Sequence, residues 1–118
     1  MEELTLTHHR LPGTTVVVAR GELDAGTARN LEAFLAEVLH DGDDLVFDLA
    51  ELTFMDTSGL GVILAAGERT RRLGGTPRLA GLRAGPARVV SLTGIASAIP
   101  VHDTVEDALG TVVAAVAS

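Results

Sequence analysis

The chain's 118 residues are 47% hydrophobic and 21% charged, with a mean hydropathy of +0.33, which suits one self-sufficient core and excludes a disordered segment. It contains no cysteine, so disulfides, thiolate metal sites and cysteine nucleophiles are excluded, and all nine basic residues are arginine. A net charge of −7 with a pI of about 4.9 offers nucleic acid no counterion release, no uncharged run approaches the ~20 residues of a membrane span, and the opening MEELTLTHHR lacks the apolar stretch of a signal peptide; a cytoplasmic protein without nucleic-acid or membrane partners is expected.

Residues 4–7 and 14–19 are short β-branched or alternating runs on either side of Leu11, Pro12 and Gly13, which predicts two strands joined by a turn. From Thr27 the apolar residues Leu31, Phe34, Leu35, Val38 and Leu39 recur at i, i+3, i+4, i+7 and i+8. That spacing predicts an amphipathic helix ending near His40, Asp41 and Gly42, with Asp24 placed to cap it. Leu45, Val46, Phe47 and Leu49, interrupted by Asp48, read as a central strand. A second helix follows, with Leu60, Ile63, Leu64 and Gly67 on one face, and stops at Gly74 and Gly75. Arg69, Arg71 and Arg72 in its last turns complement the carboxyl end of the dipole.

Residues 78–82 predict a further strand, Pro86 a helix start, Val89, Val90 and Thr93 one face of that helix, and Gly94 its stop. Residues 99–101 predict a last strand. Asp103 with Glu106 forms an acidic capping box for a closing helix that carries Val105, Ala108, Leu109, Val112, Val113 and Val116. The order ββαβαβαβα predicts a single α/β domain over residues 1–118, with a mixed, mainly parallel β-sheet, an initial antiparallel hairpin and about four helices. Function in such sheets gathers where strands give way to helix N-termini, and residues 54–60 lie at such a place.

That junction, LTFMDTSGLGVIL over residues 52–64, carries a buried apolar strand into Asp56, Thr57 and Ser58. As structure alone it is a strand-to-helix turn whose acid or hydroxyl groups satisfy the free N–H groups of the helix start. One cap needs one side chain, whereas three polar residues precede Gly59 here. A hydroxyl at this place also lies where backbone N–H groups and the positive dipole end tolerate a phosphate. A phosphoryl group would bring a charge of about −1.5 to −2 and change what the surface can dock against.

GELDAGTA at residues 21–28, together with DLAELTFMDTSGLGVIL at residues 48–64, resembles the STAS domain of bacterial anti-sigma factor antagonists. The family pattern is a G-E-L-D turn before the first helix and a strand leading into D-S/T-S/T-G-L-G. The resemblance implies a binding module in transcription regulation rather than an enzyme. Unphosphorylated, it would engage an anti-sigma factor and release the sigma factor. The same partner, a serine/threonine kinase of the histidine-kinase-like ATPase fold, would phosphorylate it and end the association, and a metal-dependent PP2C-type phosphatase would reset the cycle. The acceptor maps to Thr57, where the best-known members carry serine; the extra methyl stiffens χ1. Ser58 then becomes cap or neighbour. Asp56 would orient the loop and take part in kinase recognition, Gly59 would leave room for a partner or its nucleotide, and Gly21, Glu22 and Asp24 would form a turn beside the loop. The implied partner-binding set is Asp24, Asp56, Thr57, Ser58 and Gly59, with Asp24 either a contact or the cap of the first helix.

Other chemistries fit less well. A response-regulator receiver resembles this chain in size, but its acidic pair after the first strand and its late lysine are missing. Gly59, Leu60 and Gly61 are not followed by the lysine and hydroxyl of a P-loop. Thr57 as a hydrolytic nucleophile would need a base, and His8, His9, His40 and His102 all fall in predicted termini or loops. His8 and His9 are adjacent, so on a strand they would face opposite ways and would not share a metal. No cofactor or metal is expected. Within the same fold, the alternative is a STAS subunit of a lipid-transport, transporter-regulating or stress-signalling complex.

Overall fold

A computed structural model describes residues 3–110. Strand β1 (Thr5–Leu11) turns through Pro12 and Gly13 into β2 (Thr14–Leu23), and Gly13, at φ 74°, takes the left-handed position that the two-residue turn requires. Helix α1 (Ala28–Val38), β3 (Asp44–Asp48), β4 (Leu52–Met55), α2 (Thr57–Arg72), β5 (Pro77–Ala80), α3 (Ala84–Thr93), a 3-10 turn (Ile95–Ser97) and β6 (Val101–His102) follow. The described chain ends in a fourth helix, α4, over residues 105–110. The sheet runs β1-β2-β3-β5-β6, with β4 also paired to β2; the β1–β2 pair is antiparallel and the other pairs are parallel.

The alternation of side chains divides the core into two layers. Val17, Ala19, Leu45, Phe47 and Leu79 point to one face, where Leu31 and Leu35 of α1, Leu60 and Ile63 of α2, and Val90 of α3 close over them. Val16, Val18, Val46 and Ala80 point to the other, which Ala108 of α4 covers with Val105 and Leu109 beside it. Strand β3 is buried on both sides, as its continuous apolar run requires.

Several boundaries differ from the sequence pattern. Strand β1 reaches Leu11, well past residue 7, because the exposed His8, His9 and Arg10 are held by ladder bonds to β2 rather than by burial. His8 meets the Phe34 ring edge-on at 5.7 Å on the α1 side, while His9 lines the opposite face with Val16 and Val105, so the two histidines do diverge, from a strand and not a loop. Val101–His102 replaces residues 99–101 as the last strand, and Ile99 is core instead. The cap of α4 is Thr104, whose Oγ1 accepts the Asp107 N–H at 3.0 Å, one residue beyond the expected Asp103–Glu106 box. Val112, Val113 and Val116 lie outside the described residues.

The largest difference forms the site. The single strand expected before α2 is two: Asp48 accepts the Ala50 N–H at 3.1 Å, the chain turns, and β4 emerges to pair with Gly21–Leu23 while β3 pairs with Thr14–Val18. Ten-residue β2 therefore serves two parallel partners in succession, with a register shift between Gly21 and Glu22. Gly21 belongs to this strand and not to a turn; at φ 97° its Cα faces the Glu3 carbonyl so closely that a Cβ would overlap it. Both backbone angle and space demand glycine, so Gly21→Ala is expected to destabilise the chain by about 2 kcal/mol or more in urea unfolding. A loss below about 0.5 kcal/mol would show that the segment before β1 moves aside freely.

Candidate functional site

Leu23 and Met55 are register partners at the ends of β2 and β4, so the residues that follow, Asp24 and Asp56, leave the sheet side by side. The Asp56 N–H still donates to the Leu23 carbonyl at 3.2 Å, and Thr53 Oγ1 donates to the Gly21 carbonyl at 3.0 Å. These bonds tie the two exits together.

Each aspartate caps the helical turn it opens. Asp24 Oδ1 accepts from the Gly26 and Thr27 N–H groups at 2.9 and 3.0 Å, and the Ala28 N–H donates to the Asp24 carbonyl at 2.8 Å. Thr27 Oγ1 accepts the Asp24 N–H and donates to the Glu22 carbonyl, which closes the turn. Helix α1 begins at Ala28 with Thr27 at its N-cap and no side-chain cap hydrogen bond, so Asp24 closes the turn that leads into the helix and is not the cap expected of it. Asp56 repeats the device: its Oδ1 accepts from the Ser58 and Gly59 N–H groups at 2.9 and 3.2 Å, and the Leu60 N–H donates to its carbonyl at 3.1 Å. The turn into α1 and the start of α2 thus open next to each other, the first held by the half-buried Asp24 carboxylate and the second capped by that of Asp56.

That arrangement separates the polar residues of the loop by task. The cap of α2 is Asp56 and not Ser58, which contributes only its N–H. Thr57 and Ser58 are exposed, and neither hydroxyl makes a hydrogen bond among the described residues. Capping accounts for the acid and leaves both hydroxyls unused by the fold.

Gly59 is buried, and a Cβ there would overlap Leu23 Cγ and lie 2.8 Å from its Cδ2. The room beside its Cα is filled from within, which is what lets α2 start directly above the end of β2. Gly61, two residues on, is the opposite: exposed, with nothing within 4 Å of a Cβ. Glycine inside a helix costs about 1 kcal/mol relative to alanine, and among the described residues no neighbour within 4 Å of a Cβ calls for it here. The strand entering the loop is only half buried. Leu52 and Met55 are core, but Phe54 is 46% exposed, an aromatic on the surface just before Asp56 whose outward position its apolar neighbours in sequence did not signal. The four histidines are all elsewhere: His8 and His9 in β1, His40 after α1, His102 in β6. Among the described residues no group of His, Cys, Asp and Glu has the arrangement to hold a metal, and no described helix is long and apolar enough to cross a membrane.

Comparison with known proteins gives a consistent answer. The STAS domain family model matches residues 6–108. The anti-sigma-F factor antagonist RsfA of Mycobacterium tuberculosis is 33% identical over 108 residues, covering 89% of this chain and 83% of its own. The anti-sigma F factor antagonist of Paenibacillus polymyxa is 29% identical over 109 residues, covering 91% and 92%. In structure the chain resembles an anti-sigma factor antagonist from Mycobacterium paratuberculosis, with a TM-score of 0.84, 29% identity and coverage of 92% and 93%.

The capping geometry sets an expectation for stability. Asp56→Ala removes the acceptor of two N–H groups and is expected to cost about 1 kcal/mol, whereas Ser58→Ala and Thr57→Ala stay within about 0.5 kcal/mol in urea unfolding. A loss for Ser58→Ala equal to that for Asp56→Ala would return the capping role to the hydroxyl.

Proposed function

The chain belongs to the STAS domain family, and from that premise we propose that it is an anti-sigma factor antagonist: unmodified, it binds an anti-sigma factor and frees the sigma factor. The family is regulatory, so the activity is binding and not catalysis. The anti-sigma factor is itself a serine/threonine kinase, Thr57 is the residue it phosphorylates, and a PP2C-type phosphatase removes the phosphate, all in the cytoplasm. The docking surface is built on Asp24, Asp56, Thr57 and Ser58, with Gly59 setting the backbone beneath them.

One observation carries this reading: Asp56 caps α2 through the Ser58 and Gly59 N–H groups, and the two exposed hydroxyls beside it make no hydrogen bond among the described residues. A modification there leaves the cap in place. The positive end of the helix tolerates the added anion within the chain. A docked protein does not, because a phosphate beside Asp56 on a chain of net charge −7 faces it as an uncompensated dianion. A penalty of about 2.7 kcal/mol lowers affinity roughly a hundredfold, and repulsion with desolvation supplies that without refolding.

Two measurements test the reading. Incubation with the anti-sigma factor kinase of the source organism and ATP is expected to place one phosphate on Thr57; peptide mapping to Ser58 alone, or to neither, would overturn the assignment. Thr57→Ala is expected to stay folded and to hold the anti-sigma factor in the presence of ATP, while Thr57→Glu loses about a hundredfold in affinity. Equal binding by both variants would remove the charge switch.

A further inference from the structure

The two edges of the sheet are finished differently. At one, β6 contributes two residues, a short strand that offers a neighbour little to pair with. At the other, β1 runs for seven exposed or half-buried residues, Thr5–Leu11, paired on one side only, and contains no proline, lysine, acidic residue or bulge. Those are the devices that ordinarily keep an open edge from pairing. The chain has sixteen Asp and Glu residues and none falls in this strand, so the edge carries none of the negative charge that makes two copies repel.

The hairpin fixes which backbone groups face out. Leu11 and Thr14 flank the two-residue turn as register partners and so exchange both of their hydrogen bonds. Alternation then turns the N–H and C=O groups of Thr5, Thr7, His9 and Leu11 toward β2 and those of Leu6, His8 and Arg10 away from it. Among the described residues these six outward groups have no hydrogen-bond partner. The His8 side chain lies on the α1 face, exposed and edge-on to Phe34.

We propose that β1 is a pairing edge for a second copy of this chain, antiparallel about a two-fold axis at His8. Leu6 then meets Arg10 of the second copy, His8 meets His8, and Arg10 meets Leu6, so that every outward N–H and C=O finds a partner. Any shift along the edge sets one of the three against a residue outside β1. Arg10 is already held by Asp43 at 3.0 Å and lies opposite Leu6, so no like charges meet. On the α1 face the two His8 rings lie side by side between the two Phe34 rings, a row of four. The pairing needs neither a phosphate nor an anti-sigma factor, and so stands apart from the functional reading above.

The chain has no cysteine, so one introduced thiol reports the contact. In the full chain, His8→Cys brings two Cα atoms to about 5.5 Å across the axis, within disulfide range, and is expected to give a covalent dimer on mild oxidation. Thr5→Cys leaves them about 20 Å apart and is expected to stay unlinked. In sedimentation equilibrium the unaltered chain is expected to rise from 12.2 kDa toward twice that mass with concentration. His8→Pro removes an N–H that points away from β2; it is expected to weaken dimerisation about tenfold or more and to keep a higher Tm than His9→Pro, which breaks the ladder to β2. Equal cross-linking of the two cysteine variants, a mass of 12.2 kDa up to about 1 mM, or a lower Tm for His8→Pro than for His9→Pro would overturn the proposal. Should His8→Pro not fold, His8→Lys sets two ammonium groups against each other with the backbone intact, and undiminished dimerisation in that variant would overturn it equally.

Discussion

The parallel pairing of β4 with the last residues of β2, Gly21–Leu23, is the constraint on which the site depends. Without the Leu23–Met55 register, Asp24 and Asp56 would have no reason to emerge together, and the Asp56 N–H would have no carbonyl at Leu23. The pairing is possible because β3 stops at Asp48, whose carboxylate takes the Ala50 N–H and turns the chain back toward the free half of β2. It is made tight by Gly59, which allows α2 to begin in contact with Leu23 rather than a side chain's width above it. One strand of ten residues thereby positions two helix starts.

At those starts, stability and the proposed signalling fall to different atoms. The carboxylates of Asp24 and Asp56 are engaged by backbone N–H groups and hold the turns. The hydroxyls of Thr57 and Ser58 face outward. A residue that both capped the helix and accepted a phosphate would lose its cap on modification, and the switch would then alter the scaffold that presents it. Separating the tasks allows a change of charge on an unchanged surface, which is sufficient to control a protein partner by repulsion.

The two glycines of the loop differ in the same way. Gly59 is required by the core, whereas a Cβ at Gly61 would meet nothing within 4 Å among the described residues, although in sequence they are two residues of one motif. Helical spacing turns Gly59 inward with Leu60 and Ile63 and turns Gly61 outward with Thr57 and Ala65.

Much of the architecture was legible in the chain itself because its determinants are local. Apolar spacing marked α1 and α2, the Pro12–Gly13 turn marked the hairpin, and the polar cluster at residues 56–58 marked the junction where function was expected. The paired motifs at residues 21–28 and 48–64 pointed to the family that comparison then supplied. What local pattern could not decide was which polar side chain caps α2, that β3 and β4 are separate strands, that β1 continues through His8, His9 and Arg10, and which glycine is packed and which is bare. Each of these depends on a neighbour remote in sequence: Leu23 against Gly59, Gly21 beside Leu52, Arg10 opposite Thr15. Residue spacing records the preference of a segment for helix or strand, but pairing and close packing are properties of two segments at once, and only the folded chain brings those two together.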